Sequence, residues 1–74
     1  MSTLRKKFGK VVQRLRKEMD HSQESFADVC GFHRTYIGAV ERGETNISLD
    51  NIERIARHLR IPVSDLFAEA ERER

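Results

Sequence analysis

The sequence has few of the residues that stabilise a small protein covalently or through a metal ion. Cys30 is the single cysteine, which excludes an internal disulfide, and the histidines His21, His33 and His58 are not spaced with it as zinc ligands are. We therefore expect no metal ion and no other cofactor. One proline and four glycines also argue against a disordered chain and against an all-β chain rich in turns.

Long apolar runs are scarce as well. No run approaches the ~20 residues that span a membrane, and the basic residues 1–10 are not followed by the apolar stretch of a signal peptide. A single unpaired thiol is typical of a reducing compartment. These features predict a cytoplasmic protein without a membrane partner.

The length of 74 residues predicts one small domain over residues 1–74. Such a domain buries only ~60% of the surface that its unfolded chain exposes, so its stability is marginal without a disulfide, a metal ion or a partner subunit. Because the first two are excluded, the sequence favours self-association as a homodimer.

Charged residues make up 35% of the chain but are unevenly distributed. Residues 1–20 carry seven lysines and arginines against two acids, whereas the remaining 54 residues carry seven against ten. A basic end attracts nucleic acid, anionic lipid or an acidic protein. A well-solvated helix explains the same charges, so this feature alone does not choose among them.

Apolar residues recur at helical spacing, and turn signals divide the chain into five predicted helices. The first runs from about Leu4 to Glu18, with Ser2 or Thr3 as its cap. Its inward stripe consists of Phe8, Val11, Val12, Leu15 and Met19.

The last two predicted helices follow a loop. The fourth opens at Ser48 or Asp50, and Pro62 marks its break from the fifth, which opens near Ser64-Asp65. We expect the chain to fray over about residues 70–74.

Two short helices lie between these segments, over about residues 23–42. The second predicted helix begins after Ser22 and stops at Gly31, and the third starts near His33 and ends by Arg42. Ser25 stands where a full capping box carries Glu or Gln, and we expect it to reciprocate the cap only weakly.

The window QESFADVCGFHRTYIGAVER meets the requirements of a helix-turn-helix unit. Ala27 supplies a small residue where the helices cross, Gly31 supplies the turn, and no proline interrupts either helix. The inward positions are apolar; they are Phe26, Cys30, Phe32, Ile37 and Val40.

Several side chains remain outside after the third helix has packed. Arg34, Thr35, Tyr36 and Ala39 lie at or near its N-terminal end, where a recognition helix meets base edges. Arginine can donate to both acceptors of guanine, and a threonine methyl can contact a thymine methyl. This surface favours a DNA-binding unit over an ordinary αα-hairpin, which the apolar spacing alone would fit equally well.

Residues 8–67 resemble the helix-turn-helix family of phage repressors and Cro, also called the xenobiotic-response-element (XRE) family. The similar stretches are LRKE, SQESFADVCGFHRTYI, VERGETNISLDNIERIARHL and IPVSDLF. The resemblance implies an all-α, compact five-helix, lambda-repressor-like DNA-binding domain. The length and the run FHRTYIGAVERGETNISL are most similar to controller proteins of restriction–modification systems, which are small homodimers that regulate their own gene and that of the endonuclease.

The resemblance also implies roles for individual residues. The base-reading residues would be Arg34, Thr35, His33 and Ala39. The phosphate-binding residues would be Gln23, Tyr36, Arg42, Asn46 and Ser48. Without DNA binding these would be solvated surface residues, or, for Tyr36, an aromatic at the edge of the core. Arg16 and Glu41 match the family's internal salt bridge between the first helix and the end of the recognition helix.

Three positions depart from the family pattern, and one of them is His21, which replaces a frequent glycine before Ser22 with no obvious consequence for DNA binding. Thr45 stands where a basic residue is common, and Glu44 beside it is acidic, which argues against a phosphate contact there. Gly38 stands where controller proteins usually carry serine, and a glycine inside a helix costs ~1 kcal/mol in propensity. Either the DNA backbone or another atom comes close to Gly38, or the position is a tolerated weakness.

We expect a sequence-specific transcription regulator, bound as a homodimer to operator half-sites about 34 Å apart on the bacterial nucleoid. RNA polymerase is a further candidate partner. The predicted dimer surface consists of Ile47, Leu49, Val63, Leu66 and Phe67. The alternative is a protein-binding module of the same fold, such as a small repressor or antitoxin, which Thr45 slightly favours. Catalysis is not expected, because Ser, His and Asp are scattered through helix caps.

Overall fold

The computed structural model describes residues 3–74, which form five α-helices and no strand. The helices are α1 (Thr3–Glu18), α2 (Gln23–Cys30), α3 (Arg34–Glu41), α4 (Leu49–Leu59) and α5 (Val63–Arg72). The predicted all-α fold with a central helix-turn-helix, here α2 and α3, is confirmed. No helix within residues 3–74 is long and apolar enough to cross a membrane.

Capping side chains set where the central helices begin. Ser22 Oγ accepts a hydrogen bond from the Ser25 backbone N–H, and Ser25 Oγ accepts one from the Ser22 N–H, both at 3.0 Å. The weak reciprocation expected of Ser25 is therefore wrong, because its short hydroxyl reaches far enough to complete the capping box. Ser48 caps α4 by accepting from the Asn51 N–H at 3.2 Å.

Two other helix starts lie slightly before the predicted positions. α5 begins at Val63, one residue before Ser64-Asp65, because the Pro62 carbonyl already accepts a helical hydrogen bond from the Leu66 N–H at 3.0 Å. Thr3 lies inside α1, and the alternative cap Ser2 lies outside the described residues.

One hydrophobic core lies where the five helices meet. Its largest fully buried side chains come from all of them: Val11, Val12, Phe26, Ile37, Ile55 and Leu66. α1 packs against both α5 and α3, and α2 packs chiefly on α3. Because helices of eight residues are not stable alone in water, this packing holds α2 and α3 in place.

The C-terminal helix extends further than the sequence predicted. α5 continues to Arg72, and Ala70 is fully buried. Arg14 on α1 donates a hydrogen bond to Glu69 on α5 at 2.7 Å. The expected fraying from about residue 70 does not match the structure, because the inward face of α5 is still packed at Ala70.

Two glycines let α1 approach the end of α3. A Cβ built at Gly9 would lie 2.5 Å from the backbone carbonyl oxygens of both Val40 and Glu41, so only glycine allows this approach. Gly43, with φ +74°, turns the chain after α3, and a Cβ there would lie 2.9 Å from Lys6 Cα. α1 therefore packs directly against the C-terminal end of α3.

Candidate nucleic-acid interface

The turn between α2 and α3 depends on Gly31. Its backbone is left-handed, with φ 81° and ψ 27°, and the Phe32 N–H donates to the Ala27 carbonyl oxygen at 2.8 Å. Ala27 is buried where the two helices cross. His33 then caps α3, because its Nδ1 accepts a hydrogen bond from the Thr35 N–H at 3.1 Å. The turn thus directs the first residues of α3 outward.

The outward flank of α3 carries the predicted base-reading residues. His33, Arg34 and Thr35 are exposed at its N-terminal end, and Ala39 is half-buried one turn later. Because His33 Nδ1 is used as the cap, Nε2 is the ring nitrogen that can meet a ligand. The Arg34 guanidinium lies 4.0 Å from the Glu24 carboxylate, an exposed contact that leaves its donors accessible. The side chains of this flank are therefore accessible to a second molecule.

Tyr36 is shared between the surface and the edge of the core. Its ring packs on Phe32 with the centroids 4.8 Å apart, and the Arg54 guanidinium lies 5.1 Å from the Phe32 centroid. The Tyr36 hydroxyl accepts a hydrogen bond from Asn51 Nδ2 at 3.0 Å. These contacts join α3 to α4, while the hydroxyl keeps its own hydrogen to donate.

The other predicted phosphate-binding residues lie in two segments. Gln23 is the first residue of α2, and Arg42 is the C-cap of α3. Asn46 and Ser48 are exposed in the segment that leads into α4. Ser48 Oγ accepts the capping hydrogen bond of α4, which leaves its hydroxyl hydrogen available as a donor. Free backbone N–H groups at the starts of α2 and α4 add the partial positive charge that favours an anion.

A buried polar network fixes α3 relative to α1 and α2. Glu41 accepts hydrogen bonds from Arg16 Nε at 2.6 Å, from Arg16 Nη2 at 3.1 Å and from Gln23 Nε2 at 2.9 Å. Arg16 Nη1 donates to the His21 carbonyl oxygen at 2.7 Å. The structure thus brings together the pair that the resemblance implies and adds Gln23 to it. Among the described residues no buried side-chain nitrogen or oxygen lacks a partner, so the network is fully satisfied.

The residues predicted to form a dimer surface do not all lie on the surface. Leu66 is fully buried, so its assignment to a subunit contact is wrong; it belongs to the core. Leu49 is 80% exposed at the start of α4, and Ile47, Val63 and Phe67 are half-buried. Ile47 and Phe67 line an apolar cleft of about 330 Å³ that also involves α1.

The cysteine does not form part of a reactive site. Cys30 is buried in the core, and burial raises the pKa of its thiol to about 11. The thiol therefore stays protonated at neutral pH, when it is neither a good nucleophile nor a good metal ligand. Within residues 3–74 no group of three or more His, Cys, Asp or Glu side chains could hold a metal ion.

Sequence reasoning missed two residues, Gly9 and Asn51, and one contact of the predicted residue Gln23. Gly9 permits the close contact between α1 and α3, and its only signal was a glycine inside an amphipathic helix. Asn51 supports the Tyr36 hydroxyl, and Gln23 is bonded to Glu41. No sequence pattern predicts the contact of Asn51 with Tyr36 or that of Gln23 with Glu41, because each joins residues on different helices.

Comparisons with known proteins agree with this geometry. The sequence profile of the helix-turn-helix family matches residues 12–66. The chain is 43% identical over 74 residues to the control protein C.MunI of a Mycoplasma species, covering 99% of this chain and 100% of that protein. It is 44% identical over 67 residues to the control protein C.BamHI of Bacillus amyloliquefaciens, covering 89% and 83% respectively.

Solved structures give the same result. The restriction-modification controller protein C.AhdI from Aeromonas hydrophila matches with a TM-score of 0.79 at 43% identity, over 82% of this chain and 92% of that one. C.Esp1396I, a controller protein solved as a tetramer in complex with its natural 35 base-pair operator, matches with a TM-score of 0.86 at 28% identity, over 97% and 95%. The chain therefore belongs to the helix-turn-helix family and, within it, to the restriction–modification controller proteins.

Proposed function

We propose that the protein binds operator DNA as a homodimer and regulates transcription of its own gene and of a restriction endonuclease gene. The observation that carries the proposal is the contrast between the two flanks of α3. Ile37 and Val40 are buried in the core, whereas Arg34 and Thr35 are open to solvent. A major groove about 12 Å wide admits a helix presented in this way. The solved complex of C.Esp1396I with its operator supports the same role for this chain.

The proposed roles follow from position. Arg34 and Thr35 meet base edges, with His33 and Ala39 beside them, while the starts of α2 and α4 hold phosphates on the DNA backbone. Such a regulator works in the bacterial cytoplasm at the nucleoid, and RNA polymerase at the adjacent promoter is its further proposed partner.

Binding to duplex DNA tests the proposal directly. We expect the protein to bind a duplex from the region upstream of its own reading frame more tightly than a scrambled duplex of the same length. Raising the salt concentration from 50 to 200 mM should lower the affinity by about 10- to 100-fold, because phosphate neutralisation releases counterions. Fluorescence anisotropy measures both effects. Equal, salt-insensitive affinity for the two duplexes would favour a protein-binding module instead.

The dimer surface is tested at Leu49. A side chain of this size that is 80% exposed is the clearest apolar contact left by the core. Because a two-fold interface repeats every substitution, Leu49→Lys should weaken the dimer by about tenfold or more. Sedimentation at tens of micromolar should then show a larger monomer fraction than the wild type does, with an unchanged circular dichroism spectrum.

A matched control exists on α2, where Val29 is also exposed, at 48%, but lies outside the predicted dimer surface. Val29→Lys should leave the dimer intact. A monomeric wild-type protein, or a Leu49→Lys variant as dimeric as the wild type, would refute this surface.

A further inference from the structure

Gly38 is buried although it lies on the outward stripe of α3, between Arg34 and Arg42. The groups that cover it are side chains of this protein. A Cβ built at Gly38 would lie 3.0 Å from Arg42 Nη1 and 3.8 Å from Arg42 Cζ. Gln23 Oε1 would be 3.7 Å from the same point. The Arg42 guanidinium therefore lies along α3 in the space that a side chain at position 38 would take, next to the Gln23 amide.

Arg42 is also held from its other side. Its Nε lies 3.1 Å from Glu44 Oε2, and both side chains are 59% exposed. An ion pair this exposed is weak, so Glu44 favours this direction of the guanidinium without fixing it. The planar fork carries five donors, so the Nε edge can face Glu44 while Nη1 stays at the surface of α3.

Gln23 turns its amide oxygen toward Gly38 and Arg42, so the donor that it can offer beside Arg42 is the nitrogen of the same amide. One N–H of its amide is donated to Glu41, and the network of Arg16 and Glu41 keeps the amide from turning away. The second N–H remains for a ligand. Gln23 also opens α2, where free backbone N–H groups favour an anion. Together the two side chains present a guanidinium and an amide N–H, which suit the oxygens of one phosphate.

We infer that Gly38 is a positioning residue: its missing side chain lets Arg42 lie beside Gln23, so that both bind the same DNA phosphate. This inference rests on the proposed function. It extends that function to Gly38, which has no side chain with which to contact DNA. Two alternatives for Gly38 are a direct approach of the DNA backbone and a tolerated weakness of the helix. Each predicts a different change in DNA affinity when a Cβ is added.

Gly38→Ala should change folding and binding in opposite directions. An added Cβ at 3.0 Å is closer than an ordinary contact, and the flexible, exposed guanidinium yields more easily than the helix. Because alanine is the better helix former, the unfolding temperature should rise by roughly 3–6 °C. The displaced Arg42 should bind phosphate less well, with a loss in DNA affinity of about threefold. A misfolded variant cannot produce this combination.

A double-mutant cycle tests whether Gly38 acts through Arg42. The wild type, Gly38→Ala, Arg42→Ala and the double variant are titrated with the upstream duplex and with its scrambled counterpart. Arg42→Ala should weaken binding to both duplexes by about tenfold and make the slope of log affinity against log salt shallower by about 1 for each phosphate released. In the Arg42→Ala background, Gly38→Ala should cause no further loss.

The remaining outcomes overturn the inference in distinguishable ways. Additive losses would mean that the DNA backbone approaches Gly38 directly, and unchanged affinity of Gly38→Ala would mean a tolerated weakness. A loss confined to one base pair would make Arg42 a base reader. If the wild type binds neither duplex, the proposed function itself fails. Arg57→Ala, which removes another exposed arginine, serves as the control for general loss of charge.

Discussion

Replacing Glu41 by alanine is expected to destabilise the protein by about 3–5 kcal/mol, because it leaves the Arg16 guanidinium buried without its counter-charge. The two side chains are only 6% and 2% exposed, so water cannot replace the lost carboxylate. A domain of this length has a total free energy of unfolding of about 4–11 kcal/mol. The expected loss is therefore a large share of the stability. Urea unfolding at a fixed protein concentration measures the loss; the concentration must be fixed because dimer formation contributes to stability.

Two further variants separate charge burial from simple truncation. Glu53→Gln removes an exposed carboxylate that lies 3.8 Å from Arg57, and it should change stability by less than about 0.5 kcal/mol. Arg16→Met combined with Glu41→Leu should regain part of the loss, because an apolar pair leaves no unpaired charge. The gain is only partial because the His21 carbonyl and the Gln23 amide still lose their partners. Stability of Glu41→Ala close to that of the wild type would show that the network does not hold α3.

Local chemistry explains why so much of the fold could be predicted. Gly31 ends α2 in the left-handed conformation, and Ser22 and Ser48 cap the helices that follow them. Each of these signals acts within four residues of the chain, so it can be read without knowledge of the tertiary structure. The apolar spacing likewise identified the inward faces of α1, α2 and α3.

The errors arose where the partner of a residue lies on another helix. Leu66 and Leu49 were both predicted to lie in the dimer surface, yet Leu66 is fully buried and Leu49 is 80% exposed. Apolar spacing shows which face of a helix turns inward, but it does not show how far a neighbouring helix covers that face. Gly9 went unnoticed for the same reason, because its role depends on the carbonyl groups of α3 that cross it.

The sequence predicted which residues form the candidate site, but not how those residues contact one another. Family resemblance and the outward flank of α3 pointed to Arg34 and Thr35. The sequence left open what comes close to Gly38, and the structure places the Arg42 guanidinium there. The resemblance already implied a phosphate contact for Gln23, but only a fold that brings α2 alongside α3 shows that Gln23 also belongs to the network of Arg16 and Glu41.

Arg34→Ala is expected to weaken operator binding by about 1–3 kcal/mol for each half-site and to relax the preference for one base pair. The Arg34 side chain is 65% exposed at the start of α3, so its removal should leave the fold intact. The loss falls on one base pair because a bidentate arginine contact discriminates guanine by its O6 and N7 acceptors. Arg57→Ala is the matched control, since that side chain is 68% exposed on α4 and should leave the preference unchanged.

The most direct measurement is a binding profile of the wild type and Arg34→Ala across duplexes that carry every single base-pair substitution of one half-site, after footprinting on the upstream duplex has located that half-site. If the outward flank of α3 enters the major groove, the wild type discriminates at one position where Arg34→Ala no longer does, and the two profiles agree elsewhere. An equal loss at every position, or no loss at all, would contradict base reading by Arg34 in the groove.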